Sequence, residues 1–295
     1  MDARAQGIVR SMGIVCVILV LSQGVAGAAA SALAIRDQTG RMVTLGAPAR
    51  RVVSLAPNMT EMLYAVGASA VGDTTACDYP DAARQLPKVG GMDPDYESIA
   101  GLRPDLILAT TSGNRMEAVD YLRTLGYPVY TSDPASVDAV LAAMVDVGIL
   151  TGRRDTAETA VSAIREKLKA APPAHATPDR PRVLCLIWPE PIMTVGGDTF
   201  VHDLIERAGG LSSTASLPHG WPILDRESFL MLKPDVIVLA AAAGRMNRES
   251  LPRSLLDLTG STPVAFVDEN LLLRPGPRVG DAVVRLREIL AGARP

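Results

Sequence analysis

Asp95-Tyr96-Glu97-Ser98-Ile99-Ala100-Gly101-Leu102-Arg103-Pro104-Asp105-Leu106-Ile107-Leu108 recurs later in the chain as Asp225-Arg226-Glu227-Ser228-Phe229-Leu230-Met231-Leu232-Lys233-Pro234-Asp235-Val236-Ile237-Val238. Half of the positions are identical, and most of the others exchange like for like. Each copy reads as an N-cap Asp, a short helix, a Pro-Asp turn and a buried apolar strand. Two flanking pairs keep nearly the same offset: Arg51-Val52-Val53-Ser54-Leu55 with Arg182-Val183-Leu184-Cys185-Leu186, and Pro128-Val129-Tyr130 with Pro263-Val264-Ala265. A chain that repeats strands and helices in this order is expected to form two similar α/β lobes, each with a mostly parallel sheet. Two like lobes leave a cleft between them, the usual place for a ligand.

Outward from the first copy, Ile35 to Leu45 reads as a leading hairpin turning at Asp37-Gln38-Thr39-Gly40. Strand Val52 to Leu55 follows, then a helix from about Asn58 to Val66 that stops at Gly67. Strands Leu106 to Ala109 and Pro128 to Tyr130 flank a helix at Arg115 to Leu125. A long helical tract breaks near Gly148 and Gly152. Its second part, Asp155 to Ala171, carries Ala157, Ala160, Val161, Ile164 and Leu168 at helical spacing, with charges elsewhere. That amphipathic helix, about 25 Å long, lies between the repeats and is expected to join them as a stiff backbone. The proline-rich stretch Ala171 to Pro181 then leads into the second lobe. The expected organisation is a processing segment at 1–30, an N-terminal lobe at 31–153, a bridge at 154–180 and a C-terminal lobe at 181–295.

The first residues look like a signal peptide. Arg4 and Arg10 precede an apolar run from Gly13 to Leu21, and Ala26-Gly27-Ala28 offers small residues for cleavage near Ala28. The run is shorter than the roughly 20 residues a membrane span takes, and the bulky Val15 before Cys16 makes a poor lipidation site. Export to the periplasm is the expectation. Losing Asp2, Arg4 and Arg10 removes two positive charges and one negative, moving the formal net charge from −3 to −4. A mildly acidic body argues against nucleic acid as a partner. Two cysteines then remain, Cys77 and Cys185. Oxidising surroundings permit a bridge, but one between lobes would lock the cleft, so free thiols are expected.

Enzyme signatures are missing. The chain has no G-x-S-x-G elbow, P-loop, dinucleotide fingerprint or C-x-x-C, and no histidine lies near Ser54 in a nucleophile arrangement. The three histidines are His175, His202 and His219, and none falls in the first lobe. Neither a metal-ligand set contributed by both lobes nor a cofactor is expected. What remains are loops at strand ends, where open α/β sheets bind ligands. Pro57 and Asn58 begin a helix whose backbone N–H groups can meet a ligand acceptor, although Asn58 also serves as a simple cap. With aromatics at only 4% of the chain, Tyr79 in a turn and Trp188 and Trp221 in second-lobe loops stand out. Together they would grip a large flat or apolar ligand. Arg274 and Arg278, in a rigid Pro-Gly-Pro turn, suit a carboxylate or phosphate on a ligand, or else form a solvated loop. Glu97 and Glu227 follow their caps by two positions, where a carboxylate favours the helix dipole. That both copies keep Asp-x-Glu-Ser while core letters drift suggests a pseudo-twofold pair able to meet arginines on a symmetric partner.

Ser54-Leu55-Ala56-Pro57-Asn58-Met59-Thr60-Glu61, Cys77-Asp78-Tyr79-Pro80, Leu86-Pro87-Lys88-Val89-Gly90-Gly91, Leu102-Arg103-Pro104-Asp105, Trp221-Pro222 and Arg274-Pro275-Gly276-Pro277-Arg278 together resemble the helical-backbone (class III) substrate-binding proteins of ABC importers. Members of that class bind cobalamin, ferric siderophores or haem, and the resemblance covers nearly the whole mature chain. It is nearest to the cobalamin-binding members. It implies ligand contacts from Tyr79, Trp188, Trp221 and Arg274, and docking of an inner-membrane permease by Glu97 and Glu227. A first-lobe tryptophan of the cobalamin binders falls near Thr110 here. Haem binders often use a first-lobe tyrosine as an iron ligand, the place Tyr79 holds. The implied protein is a monomeric receptor for a bulky metal chelate that does no covalent chemistry. The competing classes are an exported two-lobed hydrolase and a receptor domain without transport.

Overall fold

The computed structural model describes residues 32–170, 180–218, 220–241 and 246–292. The signal segment, the cleavage site near Ala28, residues 171–179 of the proline-rich stretch with His175, and His219 lie outside the described residues.

The chain begins with an antiparallel hairpin, β1 (Leu33–Arg36) and β2 (Met42–Leu45). Asp37 organises its turn: the buried carboxylate accepts from Thr39 N, Thr39 Oγ1 and Arg41 N, and its other oxygen accepts from Arg123 and Thr131 N. The first lobe runs β3 (Val52–Ser54), α1 (Pro57–Ala65), β4 (Ala70–Gly72), α2 (Tyr96–Leu102), β5 (Leu106–Thr110), α3 (Met116–Thr124) and β6 (Val129–Ser132). Its four strands form a parallel sheet in the order β4-β3-β5-β6. Two helices follow, α4 (Val137–Leu150) and α5 (Arg154–Ala170).

The second lobe runs β7 (Arg182–Pro189), β8 (Ile192–Thr194), α6 (Phe200–Ala208), β9 (Leu211–Ser212), α7 (Arg226–Leu232), β10 (Val236–Ala241), α8 (Arg253–Thr259), β11 (Val264–Asp268), α9 (Glu269–Leu272) and α10 (Val279–Gly292). β9, β7, β10 and β11 are parallel neighbours in that order, matching β4, β3, β5 and β6. β8 adds an antiparallel strand at the far end of β7. Among the described residues no strand passes from one sheet to the other.

The sequence repeat has a physical cause in matched hydrogen bonds. Arg51 N donates to Asp105 (2.8 Å) and Arg182 N to Asp235 (2.7 Å). Arg51 Nη2 donates to Leu102 O (2.6 Å) and Arg182 Nη2 to Leu232 O (2.9 Å). Ile107 N meets Pro128 O and Ile237 N meets Pro263 O, both at 2.9 Å. The helices before β5 and β10 both end on left-handed residues, Arg103 and Lys233, which turn the chain back into the sheet. In each lobe the Pro-Asp turn therefore locks the helix end to the start of the first strand.

The two sheets share one apolar core. It runs from Val52, Leu106 and Leu108 through Val140, Met144, Ala157 and Val161 to Val183, Val236 and Val238. α5 carries the chain from one lobe toward the other and packs on α4 and α10. α4 also reaches the second lobe: Val137 N donates to Asp203 (2.7 Å), and Asp138 pairs with Arg207 (2.6 Å). The tract breaks at Thr151–Arg153. Gly152 there takes a left-handed φ of 67°, and a Cβ at Gly148 would overlap that of Ala157. Glycine at these positions lets α4 and α5 turn sharply and pack closely. A continuous core of this kind permits small shear and disfavours wide opening.

Candidate functional site

The carboxyl ends of the strands from both lobes converge on a cavity of about 450 Å³. Thr111 and Ser112 reach it after β5, and Asp133 to Ala135 after β6. The second lobe contributes Thr199, Phe200 and Val201 at the start of α6, then Trp221, Leu273 and Pro275. One wall is therefore hydroxyl-rich with a carboxylate, and the other is apolar. A cavity of similar size, 460 Å³, lies at the opposite end of β3 beside Arg50, Ser69 and Arg153. It is remote from the loops that open α/β sheets use for ligands.

The first-lobe wall is held by buried polar bonds. Asn114 accepts from Thr110 N and donates to Leu55 O, both at 2.9 Å, tying the end of β5 to the end of β3. Thr110 is buried, and its hydroxyl meets Ser112 Oγ at 3.0 Å. Thr60 donates to Ser54 Oγ (2.8 Å), and Ser54 Oγ donates to Ala56 O. Cys77 lies in the same network, within 3.2 Å of Thr60 and Thr74. Cys77 and Cys185 are both free and buried. Burial pushes the Cys185 thiol up to about 12.

Of the expected ligand residues, Pro57 is the first residue of α1 and half-buried. Asn58 is buried and donates weakly to Pro275 O across the cleft, at 3.5 Å. It does not cap α1: the N-cap is Ala56, without a side-chain bond. Trp221 lines the cavity and is 45% exposed. Trp188 does not line it; it lies within β7 rather than in the expected loop and is 57% exposed, with Nε1 donating to Glu190 O. The two tryptophans are nevertheless joined by an apolar ledge. Trp188 pairs in register with Met193, and Met193 with Ile223, which is 63% exposed. Residues in register across neighbouring strands present the same face, and Trp221 lies two residues before Ile223 on that extended segment. Exposed apolar ground of this kind marks a binding surface.

Arg274 and Arg278 are engaged by the protein itself. Arg274 Nη1 meets Asp78 at 2.7 Å and Glu61 at 3.3 Å. Arg278 grips Glu61 at two points, Nε to Oε2 at 2.9 Å and Nη2 to Oε1 at 2.7 Å. Its guanidinium carbon also sits 4.7 Å above the Tyr79 ring, a cation–π contact. The turn read as a grip for a ligand anion thus clasps carboxylates of the opposite lobe. Desolvation alone would raise the Asp78 pKa, but hydrogen bonding and charge from Arg274 prevail and hold it low. The loop carrying Asp78 and Tyr79 is stapled by Lys88, whose Nζ donates to Asp73 (2.6 Å), Ala83 O (3.0 Å) and Cys77 O (3.3 Å).

Glu97 and Glu227 are exposed on α2 and α7. Their neighbours explain the helix starts without them: Asp95 accepts from Glu97 N and Ser98 N, and Asp225 from Ser228 N.

A family profile described as "Periplasmic binding protein" matches residues 52–256, spanning both lobes. The chain belongs to the periplasmic binding protein family. Within that family it is similar to the vitamin B12-binding protein of Yersinia pestis, with 29% identity over 257 residues, 85% of this chain and 90% of that one. The periplasmic vitamin B12 binding protein of Vibrio cholerae has the same fold, with a TM-score of 0.72 at 27% identity over 82% of this chain and 97% of that chain. A periplasmic heme binding protein from Pseudomonas aeruginosa aligns with a TM-score of 0.72 at 25% identity, covering 84% of this chain and 95% of that one. These relatives are binding proteins by name. Membership of the family accounts for the two lobes, the backbone helix and the cleft between them. Among the described residues, no helix is long and apolar enough to cross a membrane.

The residues missed in the sequence reading are Glu61, Asp133, Phe200 and Ile223. Phe200 had a usable signal, since it is one of only three phenylalanines and follows a Thr cap.

Proposed function

We propose that this periplasmic binding protein is exported, cleaved near Ala28, and delivers a bulky metal chelate to an inner-membrane ABC permease. The chelate is a corrinoid of the cobalamin type. The observation that carries this reading is the apolar ledge from Trp188 through Met193 and Ile223 to Trp221, opening into the interlobe cavity beside Phe200. A broad macrocycle laid on that ledge buries its face against rings and aliphatic side chains. Such burial contributes roughly 25 cal/mol per Å², so tight binding needs no protein–metal bond. The names of the vitamin B12-binding relatives support the same ligand. The receptor works by binding and release, with Glu97 and Glu227 as docking points for the permease.

Haem is the second reading. It is favoured by Tyr79, a first-lobe tyrosine 49% exposed beside Arg278, and by the heme-binding neighbour. Ferric siderophores belong with it. Protein purified after exposure to cobalamin, haemin and a ferric hydroxamate separates the readings, because each chelate has its own visible spectrum. A corrinoid spectrum on the protein is expected; an exclusive Soret band would replace the corrinoid by haem.

A further inference from the structure

We infer that Asp133 selects the ligand by its rim, favouring chelates edged with hydrogen-bond donors such as carboxamides and rejecting those edged with carboxylates. The inference deepens the proposed receptor function and rests on the interlobe cavity being its ligand site.

Asp133 is the only charged side chain lining that cavity among the described residues. It is exposed, and its Oδ1 accepts a short bond from Thr111 Oγ1 at 2.6 Å, which leaves Oδ2 for a donor from outside. The nearby hydroxyls do little to offset it. Ser112 is already with Thr110, and Thr199 donates to Gly196 O. Arg274 and Arg278, the cations of the turn that also brings Pro275 to the cavity, are engaged by Asp78 and Glu61. Two positive and two negative charges cancel there, so among the described residues the cavity keeps the single negative charge of Asp133.

That charge is also held in place. Gln38, in the turn of the leading hairpin, accepts from Asp133 N (2.8 Å) and Ser132 Oγ (3.0 Å), while its Nε2 donates to Ala139 O (2.7 Å). The hairpin thereby braces the loop between β6 and α4. A fixed acceptor facing a bound macrocycle rewards an N–H at its rim. It repels a carboxylate, which brings like charge into a partly desolvated cleft where no described residue offers a free cation to meet it.

The test compares ligands that share a ring and differ in rim charge. Cyanocobalamin is titrated against the peripheral-carboxylate corrinoid made by hydrolysing its amides, and haemin dimethyl ester against haemin, on wild type and Asp133→Asn. Asparagine keeps an acceptor for Thr111, and thermal melting checks that the variant folds. Wild type is expected to prefer the uncharged member of each pair it binds by at least about tenfold, equivalent to about 1.4 kcal/mol. Asp133→Asn should cut that preference to threefold or less, mainly by tightening the charged member. An unchanged preference in Asp133→Asn, or a wild type that prefers carboxylates, overturns the inference. A wild type that ignores both corrinoids yet discriminates between the haemins sinks the corrinoid reading and leaves the role of Asp133 standing. Binding of none of the four overturns both.

Discussion

Glu61 of α1 and Arg278 ahead of α10 form a two-point ion pair that joins the lobes, with contacts of 2.7 and 2.9 Å around a carboxylate only 2% exposed. Breaking a buried pair leaves a charge without a partner, which commonly costs 3–5 kcal/mol. Here Arg274 remains beside Glu61, so Arg278→Ala should destabilise by the smaller amount of about 2–3 kcal/mol. Glu61→Gln with Arg278→Gln should recover part of that loss. Urea unfolding of the single and double variants measures it; additive losses would mean the two residues do not act as a pair.

The Asp78–Arg274 contact makes a pH-dependent prediction. A carboxyl whose folded-state pKa lies below its ordinary 3.8 stabilises the fold above that value and loses the contribution as pH falls through the folded value. Wild type should therefore melt higher than Asp78→Asn at pH 6. The gap should close as the pH is lowered below about 3.8. A gap that is constant from pH 6 to pH 3 would show that the charge of Asp78 is not what matters.

Lys88 should prove a structural staple of the Tyr79 loop. Its partner Asp73 has no exposed side-chain surface, and burial raises the carboxyl's pKa against the opposing pull of Lys88. Lys88→Met is expected to destabilise by about 3 kcal/mol, as for other broken buried pairs. Adding Asp73→Asn should restore much of it. Failure of the second change to help would point instead to the lost carbonyl contacts at Cys77 and Ala83.

Glu97 and Glu227 are expected to act outside the ligand site. Glu97→Ala with Glu227→Ala should abolish transport in cells and leave ligand affinity unchanged. Exposed ion pairs are individually worth under about 1 kcal/mol, so each single change should show little. Weakened ligand binding in the double variant would place these carboxylates in the cleft or the fold.

The larger architecture was legible because its signals are local. Apolar runs at Val52, Leu106 and Val236, Asp caps at Asp95 and Asp225, and the Gly148–Gly152 break all act within a few residues. β4, β8 and β9 escaped because each is two or three residues long and depends on a neighbouring strand for its pairing. The cleft was harder still. Glu61 reads as an ordinary helix glutamate until Arg278 arrives beside it from the other lobe. For the same reason Arg274 and Arg278 read as free cations, since the carboxylates that meet them are remote in sequence. Asp133 carries no motif, and only the convergence of two sheets gives it a place in the cavity. Trp221 stood out by rarity, by its loop position and by the family resemblance, whereas the ledge joining it to Trp188 needed the register of three extended segments.

The central claim is that the ledge and cavity hold a corrinoid, and equilibrium titration of wild type and Trp221→Ala with cyanocobalamin tests it most directly. Saturable binding by wild type is predicted, weakened in Trp221→Ala by at least about 1 kcal/mol, as expected for an aromatic anchor that the ligand covers. Tyr79→Phe should bind like wild type, because its ring persists. The account is contradicted if wild type fails to bind cyanocobalamin but takes up haemin with absorption bands that shift in Tyr79→Phe.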